Sequence, residues 1–181
     1  MAPKALPSPE VLRQLLRYDP DTGRLFWRER DRSLFPSQRA WSTWNARYAG
    51  TEAFTVDDGY GYRQSPIFRR ILKAHRVIWA MAHGAWPDAQ IDHINGDKAD
   101  NRLANLRPAT NAQNMRNLGA YATNTSGHKG VTWHKRAGKW MAQITVDGKC
   151  RYLGLFADKN AAVEAYASAS AEMHGEFGRV A

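Results

Sequence analysis

The sequence predicts an α+β protein built from two modules, and three observations support this prediction. A stretch of small and polar residues, 119–127, divides the 181-residue chain as a linker would. Beyond it, three short strand-like runs are separated by turns and followed by an alanine-rich helical pattern. Before it, helical and strand-like segments alternate with polar turns. We therefore expect one module over residues 1–118 and a second, a small three-stranded antiparallel sheet packed on one helix, over residues 128–181.

The first module opens with a helix signal at residues 8–10 (SPE), where a capping serine precedes a proline and an early acid. A strong turn signal at residues 19–23 (DPDTG) leads into a strand over residues 24–27. Residues 28–50 are rich in arginine and tryptophan and give no clear pattern. Residues 57–59 (DDG) indicate a hairpin turn before residues 60–63 (YGYR).

Helical patterns continue toward the linker, and the second module is mostly strands. A helix is predicted over residues 74–83, ending before Gly84 and Pro87, and Thr110 predicts the cap of a short helix over residues 111–118. In the second module the predicted strands are residues 130–133, 139–146 and 151–156, separated by turns at 137–138 and 147–148. Asp158 then caps the alanine-rich helix.

The composition favours a folded protein with an anionic partner. The chain is 43% hydrophobic, its net charge is +9 and its pI is about 9.9, so nucleic acid is the leading candidate. A basic ribosomal or membrane-surface protein is the alternative. The longest apolar run, residues 77–82, is too short to span a membrane, and the N-terminus lacks the apolar core of a signal peptide. The single cysteine, Cys150, excludes an intrachain disulfide, and we expect a cytoplasmic protein.

The segment 91–117 concentrates oxygen donors, with six asparagines, three aspartates and one histidine. Hard divalent cations such as Mg²⁺ prefer oxygen ligands, and a neutral histidine beside such a site can take a proton from water. Asp92 and His93 are adjacent, so on a strand their side chains point to opposite sides unless the strand ends there. The alternative is a structural, loop-rich segment, because asparagine and aspartate are also common in turns.

Four residues at characteristic spacing make this segment resemble the HNH endonucleases, specifically the homing-endonuclease branch with a ββα-metal fold. They are Asp92, His93, Asn105 and Asn114, with Asn105 placed 12 residues and Asn114 placed 21 residues after His93. Residues 74–79 (AHRVIW) also resemble the helix that precedes the motif in this family.

The resemblance implies a metal-dependent nuclease. Asp92 and Asn114 would bind Mg²⁺ or Mn²⁺, His93 would be the general base, and Asn105 would orient His93 by a hydrogen bond. His75 and Arg76 would contact phosphate or support the site, although a buried structural role for His75 is an equal alternative. Hydrolysis would leave a 5′-phosphate and a 3′-hydroxyl. Proteins of this type resemble phage-borne or intron-associated homing enzymes.

The second module combines basic residues with interleaved aromatics, which is typical of a sheet that binds DNA phosphates and base edges. A basic solvated sheet is the alternative. Residues from 126 to about 177 resemble the Apetala-type, or ethylene-response-factor, DNA-binding domain. The residues that carry this resemblance are 129–131 (KGV), 138–140 (GKW), 142–144 (AQI), 153–156 (LGLF), 161–162 (AA), 165–166 (AY) and 174–175 (HG).

This second resemblance implies double-stranded DNA as the partner and a mostly core position for Trp140, Ile144, Leu153, Phe156 and Tyr166. The candidate DNA contacts are Lys129, Thr132, Trp133, Lys135, Arg136, Gln143, Thr145, Arg151 and Tyr152. Lys129 and Thr132 stand where the family often has arginine, so no target sequence carries over.

The expected function is therefore a two-module endonuclease that hydrolyses phosphodiester bonds in duplex DNA. One alternative is a non-cleaving DNA-binding regulator with an inactive HNH scaffold, against which the complete set of four site residues argues. An RNA-binding basic protein ranks third, because the aromatics fit a core pattern better than an exposed stacking surface. The sequence does not indicate an oligomeric state.

Overall fold

The computed structural model describes residues 5–120 and 123–180 and confirms the predicted α+β class. Its described part contains five α-helices and several sheets of only two or three strands. The chain divides into two compact units, Met1–Pro108 and Ala109–Ala181. The stretch 119–127 belongs to the second unit, and its residues 121–122, like residues 1–4, lie outside the described residues. No helix in the described part is long and apolar enough to cross a membrane.

The first unit begins with a helix and a small antiparallel sheet of order β1-β2-β3. Its elements are α1 (Pro9–Leu15), β1 (Leu16–Asp19), β2 (Arg24–Trp27), α2 (Gln38–Tyr48) and β3 (Glu52–Ala53). Ser8 caps α1 as predicted, because its hydroxyl accepts a hydrogen bond from the backbone N–H of Val11. The predicted turn at residues 19–23 joins β1 to β2. Helix α2 lies in the segment that the sequence left unassigned.

A second antiparallel sheet of order β4-β5-β6 follows and leads into a helix. The elements are β4 (Val56–Asp57), β5 (Arg63–Ile67), β6 (Arg70–Lys73) and α3 (Ala74–His83). The predicted turn after β4 extends to residue 62, because the Asp58 carboxylate accepts hydrogen bonds from the backbone N–H groups of Tyr60 and Tyr62. Helix α3 has its predicted bounds, and Gly84 ends it with a φ of 74°.

The last part of the first unit is a two-stranded sheet of β7 (Gln90–His93) and β8 (Leu106–Ala109). One hydrophobic core supports it, with Leu12 of α1, Leu25 of β2 and Ile78 of α3 all 2% exposed or less. Ile91 and Leu106 belong to the same core, so each strand of the two-stranded sheet is fixed by one buried aliphatic side chain.

The second unit contains the predicted three strands and helix, preceded by one short helix. Its elements are α4 (Asn111–Asn117), β9 (Val131–His134), β10 (Lys139–Val146), β11 (Lys149–Phe156) and α5 (Lys159–His174). The sheet is antiparallel with order β11-β10-β9. Thr110 caps α4 with a full capping box formed with Gln113, and Asp158 caps α5.

The core of the second unit lies between the sheet and α5. Ala142, Ile144 and Tyr166 are at most 2% exposed, and Trp140 packs against them, as expected. Gly130 has a φ of 71°, and a Cβ there would come within 2.2 Å of the Tyr166 ring. The glycine of the KGV motif is therefore required by close contact between the start of β9 and α5.

Candidate active site

Strand β7 places Asp92 and His93 in buried positions at its C-terminal end. Asp92 is 4% exposed and His93 is 3% exposed. As neighbours on a strand they face different partners. The Asp92 carboxylate accepts a hydrogen bond from Arg107 Nε of β8 at 2.9 Å, whereas His93 contacts the loop that follows β7 and two other aromatic rings. The end of β7 thus carries a buried carboxylate and a buried imidazole on adjacent residues.

The His93 ring is oriented by Asn101. The distance from His93 Nε2 to Asn101 Oδ1 is 3.1 Å. An amide oxygen can only accept a hydrogen bond, so this contact assigns the proton of the neutral ring to Nε2 and makes Nδ1 the unprotonated nitrogen. Burial lowers the pKa of His93 below its usual value, and the hydrogen bond to Asn101 partly offsets that effect. The ring is therefore neutral near pH 7.

Asn105, expected to orient His93, holds the loop that carries Asn101. Its Oδ1 accepts a hydrogen bond from the backbone N–H of Asn95 at 2.9 Å. Its Nδ2 donates to Asn95 Oδ1 at 3.0 Å and to the backbone oxygen of Asp100 at 2.8 Å. Through these bonds Asn105 fixes both ends of the 95–100 loop and so positions Asn101 beside the histidine.

The first sheet anchors the same loop from the other side. The Tyr18 hydroxyl donates to the backbone oxygen of Asn101 at 3.2 Å and accepts from the N–H of Leu103 at 2.8 Å. Gly23, in the β1–β2 turn, approaches so closely that a Cβ would lie 2.5 Å from the backbone nitrogen of Arg102. The N-terminal elements therefore contribute to the position of Asn101.

The remaining oxygen donors of the loop serve its own conformation. Asn95 and Asp97 side chains accept hydrogen bonds from backbone N–H groups two residues ahead. Asp100 pairs with the exposed Arg102, and that hydrogen bond holds the pKa of Asp100 at about 2. The structural interpretation of the segment thus applies to these three residues.

Two further rings surround His93. The centroids of His75 and Tyr62 lie 5.1 Å and 5.8 Å from the His93 centroid, and 5.2 Å from each other. His75 is 6% exposed, its Nδ1 has no hydrogen-bond partner within the described residues, and burial lowers its pKa to about 3. This environment fits a neutral supporting ring, which is one of the two expectations for His75, better than a phosphate contact.

Arg76, the other expected phosphate contact or support, binds the polypeptide backbone. Its guanidinium donates to the backbone oxygens of Pro87 and Ala89 at 2.8 Å and 3.1 Å. These bonds tie the loop before β7 to α3, so the residue supports the strand that ends at His93.

Asn114 lies on helix α4 of the second unit, whereas Asp92, His93 and Asn105 lie in the first. Asp92 offers a carboxylate oxygen, the donor type that Mg²⁺ and Mn²⁺ prefer, and Asn114 offers an amide oxygen. The described residues contain no cluster of three or more histidine, cysteine, aspartate or glutamate side chains suited to a metal. Each of these two side chains thus offers a donor type suited to a cation that keeps waters and phosphate oxygens as its other ligands.

The register of the second-unit sheet separates the candidate DNA contacts into two faces. Four of them lie on the face away from α5, alternating with the buried residues of the strands: Thr132, Gln143, Thr145 and Tyr152. Trp133 pairs with Trp140, their ring centroids lie 5.2 Å apart, and Arg151 pairs with the buried Ile144. These two residues thus belong to the α5 side of the sheet, at its margin. Lys135 and Arg136 are exposed in the β9–β10 turn.

Lys129 serves the end of α4. Its ammonium donates to the backbone oxygens of Arg116 and Leu118 at 2.7 Å and 2.9 Å, which are among the carbonyls that a helix end leaves unpaired. Burial lowers the pKa of Lys129. The contact gives this lysine a structural role that the sequence did not reveal.

Comparison with known proteins identifies the family. Residues 72–116 match the family model described as HNH endonuclease, a range that includes all four expected site residues. Protein 3.8 of Escherichia phage T7 is 33% identical over 113 residues, which are 62% of this chain and 93% of that protein. The chain belongs to the HNH endonuclease family. No solved structure matches it significantly.

For an HNH protein, the sequence missed three residues at the site. Asn101 and Arg107 lie inside the family match, but nothing in the sequence singles them out from the neighbouring asparagines and arginines. Tyr62 lies outside the match and reaches His93 only because the β4–β5 turn folds over α3 and β7. Its position depends on long-range packing, for which local patterns carry no signal.

Proposed function

We propose that this HNH protein is a divalent-metal-dependent endonuclease of the homing type that hydrolyses phosphodiester bonds in duplex DNA, with His93 as the general base. The observation that carries the proposal is the neutral, buried imidazole of His93, held through Nε2 by Asn101 beside the buried Asp92. The family match supports a nuclease, and a nuclease of this family implies DNA as the substrate.

His93 would remove a proton from the attacking water. A base must be unprotonated at the working pH, and burial meets this condition by lowering the pKa of His93. Because Nε2 carries the ring proton, Nδ1 would accept the proton of the water. When Nδ1 becomes protonated, the Asn101 oxygen continues to hold Nε2, so the ring does not have to reorient during the reaction.

Asp92 and Asn114 would hold the divalent cation. A bound Mg²⁺ or Mn²⁺ would supply charge neutralisation at the scissile phosphate and its leaving oxygen. Arg107 fixes the direction of the Asp92 carboxylate, since the guanidinium Nε is 2.9 Å from Oδ2. The expected products are a 5′-phosphate and a 3′-hydroxyl.

The second unit would anchor the enzyme on DNA as an ethylene-response-factor-type domain. Its three-stranded antiparallel sheet packed on one helix supports this assignment, as does the close contact between Gly130 and Tyr166. Thr132, Gln143, Thr145 and Tyr152 would face the bases from the open side of the sheet, and Lys135 and Arg136 would contact phosphates from the adjoining turn.

The first experiment is a plasmid-cleavage assay with wild type, His93→Ala and a matched control, His83→Ala. His83 is an exposed histidine of the same unit and stacks on Trp79, away from the site. Supercoiled DNA carrying host genomic sequence is incubated with Mg²⁺, Mn²⁺ or EDTA. We expect nicked or linear product from wild type and His83→Ala only with metal, and at least a hundredfold less from His93→Ala.

Two results would contradict the proposal in different ways. Cleavage by His93→Ala at the wild-type rate would mean that another group is the base. Salt-dependent binding without cleavage by wild type would favour the non-cleaving regulator with an inactive HNH scaffold.

A further inference from the structure

We propose that the β5–β6 hairpin is a second DNA-binding element, which inserts Phe68 between base pairs close to the cleaved bond. The inference rests on the proposed function, because it takes duplex DNA as the ligand of the first unit. It adds a contact that is separate from the HNH residues and from the second-unit sheet.

The hairpin turn is unusual in its residues. Ile67 pairs with Arg70, so Phe68 and Arg69 form a two-residue loop, and their φ values are 49° and 63°. Two-residue loops with positive φ at both positions strongly prefer asparagine and glycine, whereas phenylalanine and arginine are strained there. Backbone strain is often found at functional sites, so the strain at this turn supports a role for these side chains other than folding.

The hairpin also exposes apolar side chains among positive charges. Phe68 is 54% exposed and Ile71 is 67% exposed. Residues 63–73 include four basic residues and no acidic residue. Apolar side chains on a hairpin whose only charged residues are basic match a ligand with aromatic faces and anionic edges, which is the chemistry of stacked base pairs between phosphates.

The base of the hairpin lies at the candidate active site. Lys73 pairs with Gln64 across the hairpin, and its ammonium binds Asp58 at 2.5 Å and lies 6.0 Å from the Tyr62 centroid. Tyr62 in turn contacts His93. Phe68 lies five positions before Lys73 in the chain, which corresponds to roughly 17 Å of extended backbone. This span equals the length of about five base pairs, so a duplex of ordinary length bound at His93 would be long enough to reach the hairpin tip.

A groove beside the tip offers room for the DNA backbone. Phe68 borders an open groove of about 1230 Å³ whose other walls include Arg17, Arg28 and Arg30. Glu29 and Asp31 also line the groove, so the three arginines and two acidic residues together carry one net positive charge. A DNA backbone bound along this groove would pass the hairpin tip, and the Phe68 ring would then lie next to a pair of stacked bases.

The test compares wild type with Phe68→Tyr and Phe68→Asn. Tyrosine keeps the ring, whereas asparagine removes it and also relieves the strain, because asparagine adopts positive φ readily. In EDTA, which prevents metal-dependent cleavage, each protein is bound to relaxed plasmid, topoisomerase I is added, and the linking number is measured after protein removal. Side-chain insertion unwinds DNA, so the assay requires no knowledge of the target sequence.

We expect wild type and Phe68→Tyr to shift the linking number. Phe68→Asn should bind about tenfold more weakly and leave the linking number unchanged at equal occupancy, while its melting temperature is equal to or above that of wild type. The insertion of Phe68 would be overturned if Phe68→Asn changed the linking number as much as wild type does. It would also be overturned if wild type bound the plasmid without changing its linking number. Either result would leave the nuclease proposal intact. Failure of wild type to bind plasmid at all would overturn both.

Discussion

At the scale of single residues, burial decides which polar groups of the site can act. His93, His75 and Tyr62 form one ring cluster, and burial lowers the pKa of both histidines. A neutral ring against His93 adds no positive charge that would compete with a metal or raise the cost of proton transfer to the base. The cluster is therefore compatible with the proposed role of His93 as a base at neutral pH, and it makes the fold sensitive to acid.

The acid sensitivity gives a prediction for His75→Phe. The pKa of His75 falls from 6.5 to about 3 on folding, so below pH 6.5 the unfolded chain binds a proton that the folded protein does not. Unfolding is then favoured as the pH falls, by about 1.4 kcal/mol per pH unit for one such group, or about 2 kcal/mol between pH 7.5 and pH 5. Phenylalanine should remove this loss, as measured by urea unfolding at the two pH values.

His83→Phe is the control for this experiment, because His83 is exposed at the end of α3. It should lose as much stability as wild type between the two pH values. If His75→Phe also loses as much as wild type, His75 takes up its proton in the folded state and the neutral ring cluster is wrong.

The sequence identified part of this residue-level arrangement. Asp92, His93 and Asn105 stand out through their spacing. In the structure Asp92 and His93 are adjacent at the end of β7, and Asn105 holds the loop that follows this strand. The sequence did not show that Asn101, rather than Asn105, contacts the His93 ring. The choice depends on how the 95–100 loop is held by Tyr18 and Gly23, more than 70 residues earlier in the chain.

At the scale of elements, Lys129 links the end of α4 to the start of β9. Its ammonium donates charge-assisted hydrogen bonds to the backbone oxygens of Met115, Arg116 and Leu118 at the end of α4, and each such bond is worth more than a neutral one. We predict that Lys129→Met destabilises the protein by about 1–2 kcal/mol in chemical denaturation. Lys135→Met, at an exposed turn, should leave stability within about 0.5 kcal/mol of wild type.

The same two variants also distinguish a structural lysine from a DNA contact. In DNA-binding titrations, Lys135→Met should reduce the salt dependence, whereas Lys129→Met should keep the wild-type dependence. The reverse outcome, with Lys129→Met as stable as wild type and less dependent on salt, would make Lys129 the phosphate contact that the sequence suggested.

Helices were predicted correctly where helix caps and apolar periodicity are strong. The prediction failed for a helix that is held by aromatic and cation–π contacts. Ser8, Thr110 and Asp158 mark the starts of α1, α4 and α5 as predicted. Helix α2 has no buried residue, and it is held by Trp44 against Trp27 at 5.9 Å and by Arg30 over the Trp44 ring at 3.9 Å. Such contacts leave no apolar stripe at helical spacing, so periodicity did not predict this helix.

At the scale of the whole molecule, the two compact units divide the chemistry. Asp92, His93 and the ring cluster lie in the first unit, while the exposed basic turn and the open sheet face lie in the second. The net charge of +9 favours binding to any nucleic acid, so it cannot by itself select the cleaved bond. Cleavage and anchoring should therefore respond to different substitutions.

This division is tested with Lys135→Ala/Arg136→Ala and His93→Ala. Each phosphate contact contributes about 0.9 to the slope of log K against log salt, so loss of both basic residues should lower that slope by about two. At protein concentrations that saturate the DNA, the double variant should cleave at the wild-type rate, because neither residue lies in the unit that contains His93, the proposed base. His93→Ala should bind with the wild-type slope and not cleave. A double variant that binds with the full slope but cleaves slowly at saturation would place the basic turn at the reacting phosphate instead.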